Sequence, residues 1–250
     1  MKYIIFDMDD TLLNNQREIS PFTLQTLQSL QSMGHKIVIN TARSKQFNQA
    51  FFDQLQPDYA ILNGGAQILD RDEKEIYKAT IDVETTRRVV AELLKITSNF
   101  SVQAADGLYT NNPEYTAQNA KHFDFSQAVW SKEALKIIAS IADESAAAEI
   151  AQTFQLGFTT YLGGTFRRYN HPSATKAQGN RQLVQLLGST AADIIAFGDD
   201  EGDLDMLREA GVGVLMKNAR PQFHQHPLVL SQYTNDEDGV ARFLLDYFHV

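Results

Sequence analysis

The stretch Tyr3-Ile4-Ile5-Phe6-Asp7-Met8-Asp9-Asp10-Thr11 decides how the rest of the chain is read. Four apolar, β-favouring residues run without a break and stop at acid, which is the pattern of a strand buried on both faces. Working outward, Ile37-Val38-Ile39 repeats the pattern and ends in Asn40-Thr41-Ala42-Arg43. A third apolar run, residues 59–62, ends in Asn63-Gly64-Gly65. Between the first two lies Ser20-Pro21, an N-cap with proline at the first helical position, then apolar residues at helical spacing up to Met33 and a stop at Gly34. Residues 44–55 predict a second helix. Strands alternating with helices over short links imply a parallel sheet covered on both faces. Ligands bind such sheets beyond the carboxyl ends of the strands, so the three polar strand ends are expected on one rim.

The pattern changes after about residue 78. Residues 82–97 predict a helix, and 100–110 two short strands around Asp106-Gly107. Residues 135–141 are apolar and β-rich, 145–154 are alanine-rich and helical, and a hairpin is expected around Gly163-Gly164. From Lys176 the first style returns. Residues 178–187 read as a helix, and 194–197 as a strand ending in Gly198-Asp199-Asp200. A helix at 203–210, a strand at 212–216 and a closing helix at 239–248 complete the chain. The expected fold class is α/β, with a core domain over 1–78 and 172–250 and an inserted α+β domain over 79–171.

Composition narrows the function. Among 250 residues, 43% hydrophobic and 21% charged, an ordinary globular core can form. The net charge of -9 argues against nucleic acid or an anionic membrane as partner. A phosphate on so acidic a chain needs local cations or a metal ion. The absence of cysteine excludes disulfides, thiolate chemistry and cysteine-based zinc sites. No secretory signal is read at the N-terminus, and no run approaches the ~18 apolar residues of a membrane span. A cytoplasmic location is expected. Nothing in the sequence sets an oligomeric state.

Asp7 and Asp9 close the first strand two residues apart, and Asp199 closes a later one. In an extended segment residues i and i+2 face the same way, so carboxylates from two chain regions are expected to converge. Such a cluster calls for a cation, and Mg2+ fits a set of carboxylates, waters and a substrate phosphate. Acids also close strands simply because they favour turns. The second acidic strand end, with Thr41 and Lys176, favours the chemical reading.

Asp7-Met8-Asp9-Asp10-Thr11-Leu12-Leu13 resembles the first motif of the haloacid dehalogenase superfamily of phosphatases. Asn40-Thr41-Ala42-Arg43, Lys176 and Gly198-Asp199-Asp200-Glu201-Gly202-Asp203 resemble its second, third and fourth motifs, in order and spacing. Val214-Leu215-Met216-Lys217-Asn218-Ala219 and Glu237-Asp238-Gly239-Val240-Ala241 are similar to C-terminal signatures of its Cof-type branch, whose type IIB cap is inserted between the second and third motifs. The resemblance implies a Rossmann-like core and a Mg2+-dependent phosphatase acting on a small phosphorylated metabolite: a sugar phosphate, nucleotide or phosphorylated cofactor. It implies Asp7 as nucleophile, Asp9 as acid and base, Thr41 as a phosphate hydrogen-bond donor and Lys176 as charge partner. The metal falls to Asp7, the Asp9 carbonyl and Asp199, with Asp203 behind them. Arg43, Asn63, Gly64 and Asn218 are candidate substrate contacts. Cap residues at 103–119 and 162–167 are expected to select the substrate. A phosphomutase of the same chemistry, or a phospholigand-binding protein with weak catalysis, are the alternatives. Two departures stand out: Asp10 replaces a usual glycine, and Gly202 replaces an asparagine expected to help set the metal shell.

Overall fold

The computed structural model describes residues 1–115, 119–161 and 164–250. It falls into two compact units, Met1–Tyr77 with Thr175–Val250, and Lys78–Ala174. The sequence pattern puts these boundaries at 78/79 and 171/172.

In the first unit, Tyr3–Phe6 forms β1, Pro21–Ser32 α1, Lys36–Asn40 β2, Lys45–Leu55 α2 and Tyr59–Leu62 β3. Ser20 caps α1 by accepting the Thr23 N–H, and Gly34, at φ 90°, ends its last turn. The strands Gln67–Asp70 (β4) and Glu75–Lys78 (β5) follow. The second unit holds Val83–Ile96 (α3), Phe100–Ala104 (β6), Gly107–Thr110 (β7), Lys121–His122 (β8), Lys136–Ser140 (β9), Glu144–Thr153 (α4), Gly157–Thr160 (β10) and Phe166–Asn170 (β11). The first unit resumes with Lys176–Leu186 (α5), Ile194–Gly198 (β12), Leu204–Glu209 (α6), Val212–Leu215 (β13), Val229–Leu230 (β14) and Gly239–Phe248 (α7).

The first unit's sheet runs β14-β13-β12-β1-β2-β3-β4-β5. It is parallel from β14 to β3 and turns antiparallel at β3/β4. β1 lies between β2 and β12, and its alternate residues feed two cores. Ile4 and Phe6 pack with Ile37, Ile39, Leu27, Leu30 and Leu244 on one face. Tyr3 and Ile5 pack with Val38, Ile61, Leu183 and Leu207 on the other. Burial on both faces is why these strands read as unbroken apolar runs.

The second unit's sheet runs β10-β11-β9-β6-β7-β8, antiparallel except at β7/β8. Val89 and Leu93 of α3 and Ala147 and Ile150 of α4 cover one face, against Val102, Ile137 and Tyr169. The pair β10 and β11 is the hairpin expected around Gly163-Gly164, but Leu162 and Gly163 lie outside the described residues, as do 116–118. The strands β4, β5, β8 and β14 are additions to the expected set. Two of them span only two residues each, and β4 and β5 flank the charged tip Arg71-Asp72-Glu73-Lys74, so none carries a long apolar run.

Candidate active site

The site lies wholly in the first unit, where the chain leaves β1. Phe6 is paired with Ile39 of β2 and Phe197 of β12, so the residues after all three strands emerge together. The Asp7 N–H donates to the Phe197 carbonyl at 3.1 Å, which fixes the first residue of the loop to β12.

Asp7 is buried and pairs with Lys176, with Nζ to Oδ1 at 2.8 Å. The same ammonium meets Oδ1 of Asp203 at 2.5 Å. The other oxygen of Asp203 accepts the backbone N–H groups of Asp199, at 3.0 Å, and Asp200, at 3.2 Å. Asp203 is fully buried and ties the lysine to the loop that carries Asp199. Gly198 makes room for it: a Cβ there would stand 2.4 Å from the Asp203 Cβ.

Lys176 is the first residue of α5, one place after the cap Thr175. Asn40, at the end of β2, donates to the Lys176 carbonyl at 3.0 Å. Gly65, at φ 97°, runs against Thr175, where a Cβ would come 2.0 Å from the carbonyl oxygen. The start of the helix is therefore seated directly on the backbone after β3, and this sets where the ammonium reaches.

Asp9 engages a different set of partners. The strand ends at Phe6, so Asp7 and Asp9 do not share one extended segment. The Asp9 carboxylate is forked by Arg43, Nε to Oδ2 at 2.8 Å and Nη2 to Oδ1 at 2.5 Å, and is also paired with Arg17. Arg17 is a residue that the sequence motifs do not mark. Thr11, quoted in the first motif but given no role there, donates to Oδ1 of Asp199 at 2.8 Å.

Burial and charge shape the carboxyl groups. Burial pushes Asp7 up to about 7, with Lys176 opposing it and Asp203 adding to it. Burial also raises Asp199 to about 8, reinforced by Asp203 and Asp7. Burial alone would lower Lys176, but Asp203, Asp7 and Asp200 outweigh it and hold the ammonium well above its ordinary range. Carboxylate oxygens of Asp7, Asp199 and Asp203 lie within 4.8 Å of one another. Three acids packed so closely, two of them resisting ionisation, suit a divalent cation with hard oxygen ligands. Asp203 is already engaged with Lys176 and two N–H groups, which leaves Asp7 and Asp199 as the freer donors.

Thr41 is buried, and its hydroxyl accepts the Arg43 N–H at 3.2 Å. The N–H of Asn63 donates to the Arg43 carbonyl and that of Gly64 to the Thr41 carbonyl, each at 2.9 Å, so the loops after β2 and β3 are laced together. The Asn63 side chain is buried, and both its amide atoms lack a hydrogen-bond partner. Asn218 is exposed and holds the first loop in place: Nδ2 donates to the Asp10 carbonyl at 2.7 Å, and Oδ1 accepts the Asn235 N–H at 3.0 Å.

The match of a haloacid dehalogenase-like hydrolase family model covers residues 4–244. The chain belongs to the haloacid dehalogenase-like hydrolases. Similar proteins include a putative phosphatase of Haemophilus influenzae, 28% identical over 99% of this chain and 98% of that protein. A 5-amino-6-(5-phospho-D-ribitylamino)uracil phosphatase of Bacillus subtilis is 26% identical over 98% of this chain and 97% of its own length. Among solved structures, a haloacid dehalogenase-like hydrolase from Bacteroides thetaiotaomicron superposes with a TM-score of 0.84 at 20% identity, covering 99% of each chain. A subclass IIB sugar phosphatase of the superfamily gives 0.81 at 22%, covering 100% of this chain and 99% of that one. As in other haloacid dehalogenase-like hydrolases, the core is a parallel sheet interrupted by an inserted unit. Asp10, where the family's first motif usually has glycine, sits at φ 55°. That left-handed conformation is one that Gly adopts freely and Asp tolerates better than most residues. Among the described residues no helix is long and apolar enough to cross a membrane.

Proposed function

We propose that this hydrolase is a Mg2+-dependent phosphatase that removes phosphate from a small soluble metabolite through an aspartyl-phosphate on Asp7. The observation that carries the reading is the buried chain Asp7–Lys176–Asp203, closed back onto the Asp199 loop. It holds the Asp7 carboxylate beside a fixed cation at the end of β1.

Asp7 attacks phosphorus, and the ester oxygen departs as the acyl-phosphate forms. Asp9 gives its proton to that departing oxygen, then takes one from the water that hydrolyses the intermediate. Lys176 offsets charge on Asp7 and on the incoming phosphoryl oxygens, and Thr41 donates to one of them. Mg2+, held by Asp7, Asp199 and the Asp9 carbonyl, would neutralise the repulsion between phosphate and the nucleophile. Asp203 keeps Lys176 and the Asp199 loop in register. Arg43, Asn63, Gly64 and Asn218 are assigned to the substrate side, with Asn63 best supported because its buried amide is unpaired. The inserted unit supplies substrate selectivity.

The test is phosphate release from a panel of sugar phosphates, nucleotides and phosphorylated cofactors, with and without Mg2+. Turnover by Asp7→Asn equal to wild type sinks the nucleophile assignment.

A further inference from the structure

Asp9 has two guanidinium partners, and only Arg43 comes from a segment that the sequence marks. Arg43 is steadied from behind, its guanidinium lying 5.6 Å from the centre of the Phe51 ring. Arg17 comes from the loop between the first motif and α1, which is held by its own hydrogen bonds. The Asn14 side chain accepts the N–H groups of Gln16 and Glu18, each at 3.0 Å. The Asn14 N–H donates to the Glu18 carbonyl at 3.0 Å, and the Arg17 N–H to the Asn14 carbonyl at 2.9 Å. Arg17 itself sits at φ 64°, a conformation that a long side chain adopts rarely. The loop is pinned from outside as well. Asn235 donates to the Leu13 carbonyl at 2.9 Å, and Asp236 accepts the Asn15 N–H at 3.1 Å.

The stability of the fold does not account for this construction. The Arg17 and Asp9 side chains are 60% and 36% exposed, and ion pairs so exposed add little to stability. What the pair does is divide the two oxygens of Asp9. Oδ1 receives both Arg17 and Nη2 of Arg43. Oδ2 receives Nε of Arg43 alone. One oxygen is filled and the other keeps a lone pair.

We infer that Arg17 is a positioning residue for proton transfer by Asp9: with Arg43 it occupies Oδ1 and reserves Oδ2 for the leaving-group oxygen and then for water. The inference rests on the reading of Asp9 as acid and base. In the first step the proton on Oδ2 passes to the ester oxygen as its bond to phosphorus breaks. In the second, Oδ2 takes a proton from water as the water oxygen bonds to phosphorus and Asp7 departs.

The experiment compares the first turnover of two substrates with Mg2+, read as release of the leaving group before the hydrolysis step that both share. One is 4-nitrophenyl phosphate, whose leaving group departs without a proton. The other is the sugar phosphate, an alkyl ester, that wild type turns over fastest. Asp9→Asn calibrates the scale, with a loss in first-turnover rate of about 10²–10⁴-fold on the alkyl ester and far less on the aryl ester. Arg17→Gln follows the same pattern at smaller amplitude, roughly tenfold on the alkyl ester with KM held, and Arg17→Lys restores part of it. The amplitude of the first-turnover burst on the aryl ester counts folded enzyme. Equal losses on both esters, or none on either, overturn the role of Arg17. If Asp9→Asn itself loses equally on both, the acid–base reading falls and takes the inference with it. Full activity in Asp7→Asn strikes at the phosphatase reading instead.

Discussion

The surroundings of Asp7 and Asp9 differ more than their two-residue separation suggests. Asp7 is buried, faces one ammonium and shares it with another acid, Asp203. Asp9 is partly exposed and is met by two arginines and no other acid among its described partners. At the first corner, burial and neighbouring acids resist negative charge even beside the Lys176 ammonium. At the second, the cations are permanent side chains. Two carboxylates on one short loop acquire separate surroundings because the residues around them come from different segments of the chain.

The contrast is broken most severely at Asp7. Asp7→Asn should remove phosphate release by at least about 10³-fold, measured by single-turnover assay with Mg2+. Next comes Asp203→Ala, which leaves Lys176 with one buried partner. It should destabilise the protein by about 3–5 kcal/mol, read from urea unfolding, because breaking a buried ion pair strands a charge. Asp203→Asn keeps the shape and should lower kcat by about 10–100-fold instead, since groups that orient a site act at that scale.

Metal and pH sharpen the same contrast. Asp7 and Asp199 are held up to about 7 and about 8 in the folded protein, well above an ordinary aspartate. The folded state therefore binds more protons than the unfolded chain between the ordinary aspartate range and about 8. Without Mg2+, thermal stability should fall as pH rises from about 4 to 8 and then flatten. Mg2+ favours the ionised acids, so its gain in Tm should be larger at pH 8 than at pH 5.5, as read by scanning calorimetry. The smallest effect belongs to the outer corner. Arg17→Gln should change stability by less than about 1 kcal/mol, because the pair it breaks is exposed.

Much of the first corner was legible in the sequence. Asp7, Thr41 and Asp199 follow apolar runs that can only be buried parallel strands, and such strands deliver their loops to one edge. Lys176 was legible through the family resemblance alone, since the residue pattern starts the helix at 178, and the reason it reaches Asp7, the seating of that helix on Gly65, is a three-dimensional fact. Arg17 was not legible: a cation in a polar loop looks like any solvated residue until its partner is known. The short edge strands β8 and β14 escaped for a related reason, since two residues hold no periodicity. Asp10 carried a partial signal, because a family glycine position implies a left-handed backbone, and the chain keeps that backbone with an acid.

The central place of β1 in its sheet bears on the birth of the protein. Ile194, the partner of Tyr3, leaves the ribosome some 190 residues after it. At about 5–20 residues per second this is a wait of roughly 10–40 s. Throughout it, one edge of an apolar strand has no native neighbour, and such edges invite pairing with other chains. The nascent chain is thus most exposed to aggregation during that interval, and the same strand pairing that protects it at last also brings Asp199 and Asp203 to Asp7.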